Sequence, residues 1–173
     1  MTDFYDTSLL PGCISPTPQT AASSCEFVSY TIPPAPAFTP ASELKRTDGS
    51  IGTLSIPSLS ISMKAYEGTG SDSMNKGLGH FPETSGWDGN IGLCGHNRGA
   101  VYTIGSIKEL KIGDVIQYTT ALGTRTYSVS FVGTISGSDW SLLFQTSDNR
   151  ITLITCLADQ PAMRVAVQAI ETK

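Results

Sequence analysis

Charge is what this chain has least of. Only 15% of its 173 residues are Asp, Glu, Lys or Arg, against about a quarter in an ordinary soluble domain. The 11 basic residues are outnumbered by 15 acidic ones, for a net charge of -4. No surface of such a chain could neutralise a run of phosphates, which excludes nucleic acid as a partner. Long apolar runs are missing too. None reaches the roughly 18 residues a membrane-spanning helix needs, and the start MTDFYDTS has neither the basic nor the apolar region of a secretory leader. Metal-ligand spacing is absent: there is no CxxC and no HExxH, and the acidic residues are scattered. Glycine-rich phosphate-binding patterns are also missing, so neither a metal nor a cofactor is expected. Histidine is scarce, with His80 and His96 the only two.

Ser and Thr are plentiful, 41 together, beside 17 Gly, 10 Pro and 39% hydrophobic residues. That balance favours a β-rich, turn-rich fold over a helical bundle. The length suits one domain with a buried core. Composition shifts near residue 45. Residues 1–40 hold seven of the ten prolines and no Lys or Arg. Each proline removes a donor and fixes φ, so no regular ladder can form there. Residues 1–45 are therefore expected to be a linker, arm or lid, and residues 46–173 the folded domain. In that domain, β-prone runs at 51–56, 59–66, 90–95, 114–120, 125–134, 151–156 and 163–170 alternate with turn signals. Asp72, Asp88, Asp114, Asp139 and Asp148 read as turn formers. Short helical pieces are expected around 103–110 and 139–144. Such a set of strands means a closed or nearly closed barrel, or a sandwich.

The four cysteines divide into two pairs. Cys13 and Cys25 lie in the Pro-rich stretch, spaced to pair with each other or to stay free. Cys94 and Cys156 lie in β-prone runs, where a free thiol commonly behaves as a small hydrophobe. Cys156 ends the run Ile151-Thr152-Leu153-Ile154-Thr155; a strand end fixes the backbone while exposing the thiol, which suits a nucleophile as well as a core cysteine. A reactive thiol needs a base or a positive field. His96, after the run Asn90–Leu93, falls at a strand end, whereas His80 sits in the Gly- and Pro-punctuated loop Gly77-Leu78-Gly79-His80-Phe81-Pro82. Either is otherwise a structural histidine. Arg164 opens the last β-run, with Val165, Val167 and Ala169 on the opposite face. It is either a solvated edge charge or an oxyanion ligand, since its planar fork stays protonated. Cys156, His96 and Arg164 together make an acyl-transfer set.

These motifs, in this order, resemble the sortases, cysteine transpeptidases of Gram-positive cell surfaces. The resemblance covers roughly residues 50–171. Gly52-Thr53-Leu54-Ser55-Ile56-Pro57 is similar to the family's first strand, and Tyr66-Glu67-Gly68 and Gly79-His80-Phe81-Pro82 to the segments after it. Asn90-Ile91-Gly92-Leu93-Cys94-Gly95-His96 resembles the strand carrying the catalytic His. Leu110-Lys111-Ile112-Gly113-Asp114 resembles a recurrent turn, and Thr152-Leu153-Ile154-Thr155-Cys156 the nucleophile motif. The resemblance implies a mainly β fold, a closed eight-stranded barrel with one or two short helices. It implies Cys156 as nucleophile, His96 as general acid/base and Arg164 as ligand of the substrate carbonyl or oxyanion, with His80 a structural loop residue. The thiolate would cleave an LPxTG-like sorting signal between Thr and the next residue. An amine from peptidoglycan or a pilin would then take the acyl group.

Three departures stand out. Asn97 follows His96 where many relatives have Arg, leaving Arg98, one residue later, to share the ligand role. Cys94 takes a place usually held by a small residue such as Ala, and reads as buried and inert. The arm lacks an Asp-Pro-aromatic lid signature and the strand before Cys156 has no long helical insert, which by elimination favours the class D group. A pilin-polymerising sortase or a non-enzymatic exported β-domain are the other readings. The implied location is the outer face of the cell membrane, anchored by a segment outside this chain. Leu10-Pro11-Gly12-Cys13 opens like a sorting signal, so the arm is either a tether or a lid over the site.

Overall fold

The computed structural model describes residues 38–99 and 103–172. The arm with Cys13, Cys25 and Leu10-Pro11 lies outside the described residues. Eight strands form one closed barrel: β1 (Gly52–Ile56), β2 (Ile61–Glu67), β3 (Leu78–His80), β4 (Asn90–Gly95), β5 (Val115–Thr120), β6 (Gly123–Ser136), β7 (Arg150–Leu157) and β8 (Gln160–Glu171). They close in the order β1-β2-β3-β4-β7-β8-β6-β5. Neighbours run antiparallel except β2 with β3 and β4 with β7, which are parallel. One short helix, α1 (Ser71–Met74), joins β2 to β3.

Alternation along the strands fills the barrel, as period-2 side chains require. Ile91 and Leu93 of β4, Ile151 and Leu153 of β7, and Val165, Val167 and Ala169 of β8 point inward and are almost completely buried. The last three bear out the inward face read from the sequence for the final strand. Tyr118 and Tyr127 reach the same core from β5 and β6, and burial pushes both phenols up.

The outer face is unusual on β4, β7 and β8, because it is buried as well. Gly92, Cys94, Thr152, Ile154, Ala166 and Gln168 alternate with the inward set, and all are covered. Cys94 lies against Met74 of α1, and over Gly92, Thr152 and Gln168 the cover is the connection between β6 and β7, which carries a 3-10 turn at Ser141–Leu143. It is held by uncharged hydrogen bonds. The Leu142 carbonyl accepts from Asn90 Nδ2 at 2.8 Å and Gln168 Nε2 at 2.9 Å, with Thr152 Oγ1 at 3.1 Å. The Phe144 carbonyl accepts from Asn90 Nδ2 at 2.9 Å. Gly92 permits this approach, since a Cβ there would stand 2.8 Å from Leu143 Cδ2 and 2.9 Å from Thr84 Cγ2.

Several readings change. Gly77–Pro82 is not simply a loop: Leu78–His80 form β3, too short and glycine-broken to announce itself. His80 is fully buried, with Nδ1 2.8 Å from Glu67 Oε2 and Nε2 3.0 Å from the Ser85 carbonyl. The 68–72 turn runs into α1, which already begins at Ser71. The helical pieces are shorter than expected, 3-10 turns at Gly105–Glu109 and Ser141–Leu143. Residues of the arm beyond 38 pack on the barrel: a 3-10 turn at Ala41–Leu44 buries Ala41 and Leu44 in the core. Asp88 does more than form a turn. It accepts from Arg125 Nη2 at 2.8 Å and Thr39 Oγ1 at 3.0 Å, while Arg125 stacks 4.1 Å over the Trp87 ring.

His80 ties β2, β3 and the turn before β4 through buried polar contacts. Removing one partner of such a set leaves others unsatisfied. His80→Ala is expected to lower stability by about 1–3 kcal/mol, read from the denaturant midpoint; an unchanged midpoint would contradict this role.

Candidate active site

Strand register assembles the site. Across β7 and β8, Cys156 pairs directly with Arg164. Across β4 and β7, Gly95 pairs with Thr155, so the next residue on each strand, His96 and Cys156, continues side by side. His96 extends β4 by a bridge to Thr103, and its carbonyl accepts from Ile104 N at 2.8 Å. His96, Cys156 and Arg164 thus form one row across three strands on the outer face, at the open end of the covered surface. The sequence's three candidates are brought together.

Gly95 explains how His96 reaches this place. A Cβ on Gly95 would lie 2.8 Å from Ile104 Cγ1 and 2.9 Å from Leu78 Cδ2. Only glycine lets Ile104 close over the strand and hold the next residue outward. His96 and Cys156 are exposed and Arg164 half-buried. Among the described residues no hydrogen bond joins the three side chains.

The arginine is already oriented. Arg164 Nη1 donates to the Pro161 carbonyl at 2.7 Å and the Met163 carbonyl at 2.9 Å. Its Cζ and Nη1 pass 3.4 Å from where a Cβ on Gly137 would stand. One nitrogen is thereby fixed, and Nη2 and Nε have no protein acceptor among the described residues. Arg98 is engaged elsewhere: its Nη2 meets Asp159 Oδ1 at 2.5 Å, both side chains exposed. Asp159 sits at φ 60° in the β7–β8 turn, so this pair spans the rim beside Cys156 rather than joining the row.

One cavity opens at the row and a second lies apart from it, under the β6–β7 connection. A polar one of about 230 Å³ opens at Cys156 and is lined by Asn97, Thr103, Ser106 and Glu109 among others. An aromatic one of about 640 Å³ lies between the turn after β3 and the β6–β7 connection, lined by Phe81, Thr84, Trp140, Leu143, Phe144 and Gln145 among others. Neither aromatic wall nor Gln145 was read from the sequence. The only signal was the DWSLLF run at 139–144, which reads as a helical piece. Among the described residues, no group of three His, Cys, Asp or Glu side chains could hold a metal ion.

Cys94 lies one row inward, beside Ile154. It is buried, and burial pushes its thiol from 9.0 up to about 11. Cys156 is a free, exposed cysteine.

Comparison with known proteins agrees with this architecture. A family profile for the sortase domain matches residues 54–172, and the chain belongs to the sortase family. It is 31% identical over 116 residues to sortase A of Listeria monocytogenes, covering 66% of this chain and 51% of that protein. It is 29% identical over 113 residues to sortase D of Bacillus subtilis, covering 64% and 56%. The chain thus spans about half the length of these curated relatives. The fold is similar to that of sortase C2 from Group B Streptococcus Pilus Island 1, at TM-score 0.71 and 20% identity, covering 80% and 87%. Relatives lettered A, C and D all match, so the likeness leaves the class open.

A buried thiol held protonated to about 11 is a poor nucleophile. At about pH 8, a thiol reagent is expected to label Cys156 and spare Cys94 until the protein unfolds. Peptide mapping of the modified sites checks this; equal labelling of both in the folded protein would contradict the burial of Cys94.

Proposed function

We propose that this protein is a sortase-type cysteine transpeptidase acting on an LPxTG-like sorting signal. The observation that carries the reading is the row His96–Cys156–Arg164, set by the pairing of β4, β7 and β8. Cys156 attacks the carbonyl of the Thr in the signal. Arg164 stabilises the charge that develops on the carbonyl oxygen, because its guanidinium stays protonated and its fork is held by two carbonyls. His96 gives a proton to the leaving amine and then takes one from the incoming amine as the thioester is resolved. The order is required by balance: the C–N bond breaks only when its nitrogen is protonated, and arginine does not supply that proton.

The two cavities support a two-substrate reaction. The larger has an apolar wall of Phe81, Trp140, Leu143 and Phe144, which suits the Leu-Pro end of such a signal, beside the polar Thr69, Glu83, Thr84 and Gln145. The smaller, beside Cys156, is polar and open to an amine. That amine belongs to peptidoglycan or a pilin, and the reaction runs at the cell surface, with the chain held at the membrane by a segment outside this chain. The stretch before residue 38 serves as the tether, since Ala41 and Leu44 are already part of the core. The class D group remains the favoured assignment. A non-enzymatic exported β-domain would have no need of an exposed thiol aligned with a histidine and an arginine.

The test is amine-dependent ligation of a fluorescent LPxTG-containing peptide, with products separated by chromatography. Cys156→Ala and His96→Ala are expected to lose ligation, with the fold retained by circular dichroism. Arg164→Lys is expected to lose about 10²-fold or more, as a point charge does not reproduce the planar fork. Near-normal turnover by Arg164→Lys would shift the oxyanion role to Arg98. Full ligation by Cys156→Ala would overturn the proposed function.

A further inference from the structure

Gly137 stands beside the proposed oxyanion ligand, at the point where β6 gives way to the connection that follows it. β6 ends at Ser136, which pairs with Met163 just as Ile135 pairs with Arg164. One residue further on, Gly137 N donates to the Ala162 carbonyl at 2.7 Å. The backbone beyond turns at once and is held there. Asp139 N donates to the Ser136 carbonyl at 3.1 Å and Ser138 N to Ser136 Oγ at 3.3 Å, while the two serine hydroxyls meet at 2.9 Å. This tight turn keeps Gly137 against the start of β8.

What Gly137 faces there is the support of Arg164. Ala162 lies between the two residues whose carbonyls take Arg164 Nη1, Pro161 at 2.7 Å and Met163 at 2.9 Å. A Cβ on Gly137 would stand 3.0 Å from the Ala162 carbonyl oxygen and 3.4 Å from Arg164 Cζ and Nη1. The first distance is tighter than ordinary contact, so the Ala162 peptide would have to give by a few tenths of an ångström. That peptide is continuous with the two that hold Nη1, and the displacement reaches both. The second distance sets the added methyl against the guanidinium itself. The backbone makes no such demand: the φ of Gly137 lies outside the left-handed region that favours glycine.

We propose that Gly137 is a positioning residue for the transpeptidase reaction. Its missing side chain leaves the Arg164 guanidinium room to rest on the Pro161 and Met163 carbonyls, with Nη2 and Nε turned over to the developing oxyanion. The inference rests on Arg164 as the oxyanion ligand. A fixed donor stabilises charge only where that charge develops, and a misplacement of about 1 Å can cost about 10²-fold in rate. A shift of a few tenths of an ångström is expected to cost about tenfold.

Gly137→Ala separates positioning from structure. Replacing a glycine whose φ suits any residue should leave the denaturant midpoint unchanged or raised. The rate of thioester formation at saturating LPxTG peptide should fall about tenfold, with the peptide concentration that gives half that rate little changed. Alkylation of Cys156 by a small thiol reagent, which needs no oxyanion ligand, should keep its native rate. In an Arg164→Lys chain the same substitution should cost little further, because the fork it displaces is already gone. Native-level acylation by Gly137→Ala, with Arg164→Lys impaired, would overturn the proposal and leave the reading of Arg164 standing. A loss that recurs in full in the Arg164→Lys chain, or that comes with a lowered midpoint or slowed alkylation, would mark a general distortion and overturn it as well. Near-normal acylation by Arg164→Lys, or none by the native chain, would overturn the reading and the proposal together.

Discussion

The site depends on one constraint, the parallel pairing of β4 with β7 while β8 runs antiparallel on the other flank. Strand side chains alternate between faces, so a slip of one residue would turn every side chain on β7 to the wrong side. Leu153 would leave the core for the outer face and Cys156 would turn inward. The inward set Ile91, Leu93, Ile151, Leu153 and Val167 fixes the register through burial, and the same register aligns His96, Cys156 and Arg164. Core packing and the geometry of the proposed site are therefore set together. Gly95 is the point of contact between them, since its missing side chain lets Ile104 seal the core just below the histidine.

A second layer of order comes from neutral hydrogen bonds. This chain has few charges, and it covers the outer face of three strands with a connection held by carbonyls and amides. Asn90, Thr152 and Gln168, one from each strand of the site, converge on the Leu142 carbonyl. Such buried uncharged groups stabilise when their donors find acceptors; the single Thr152 hydroxyl proton is shared between the Leu142 carbonyl and Asn90 Oδ1, 3.1 and 2.9 Å away. Gln145, three residues after Leu142, is the exception.

Much of this was legible in the sequence. Alternation in 151–156 and 163–170 gave the last two strands and their inward faces, since burial on one side imposes a period of two. The closed eight-stranded barrel came from the resemblance, as strand-prone runs alone leave a sandwich equally open. Strand-end positions put Cys156, His96 and Arg164 in reach of one another. Less was legible where long-range contacts decide. β3 is three residues long and contains a glycine, so nothing local distinguishes it from a loop; its pairing with β2 and β4 makes it a strand. His80 looked like a loop residue because its partners, Glu67 and Ser85, come from either side of that strand. Gln145 carries no pattern at all, because a buried unpaired amide exists only once the fold has brought aromatic side chains around it.

The most direct measurement is the mass and location of a trapped acyl adduct. The protein is quenched in acid after brief exposure to an LPxTG peptide without an amine, digested, and mapped by mass spectrometry across all four cysteines. An adduct ending at the Thr carbonyl and carried by Cys156 alone, absent from Cys156→Ala, is the expected result. An adduct on Cys94 or another cysteine, or cleavage with no thioester from a chain that is still folded, would contradict the assignment of the site.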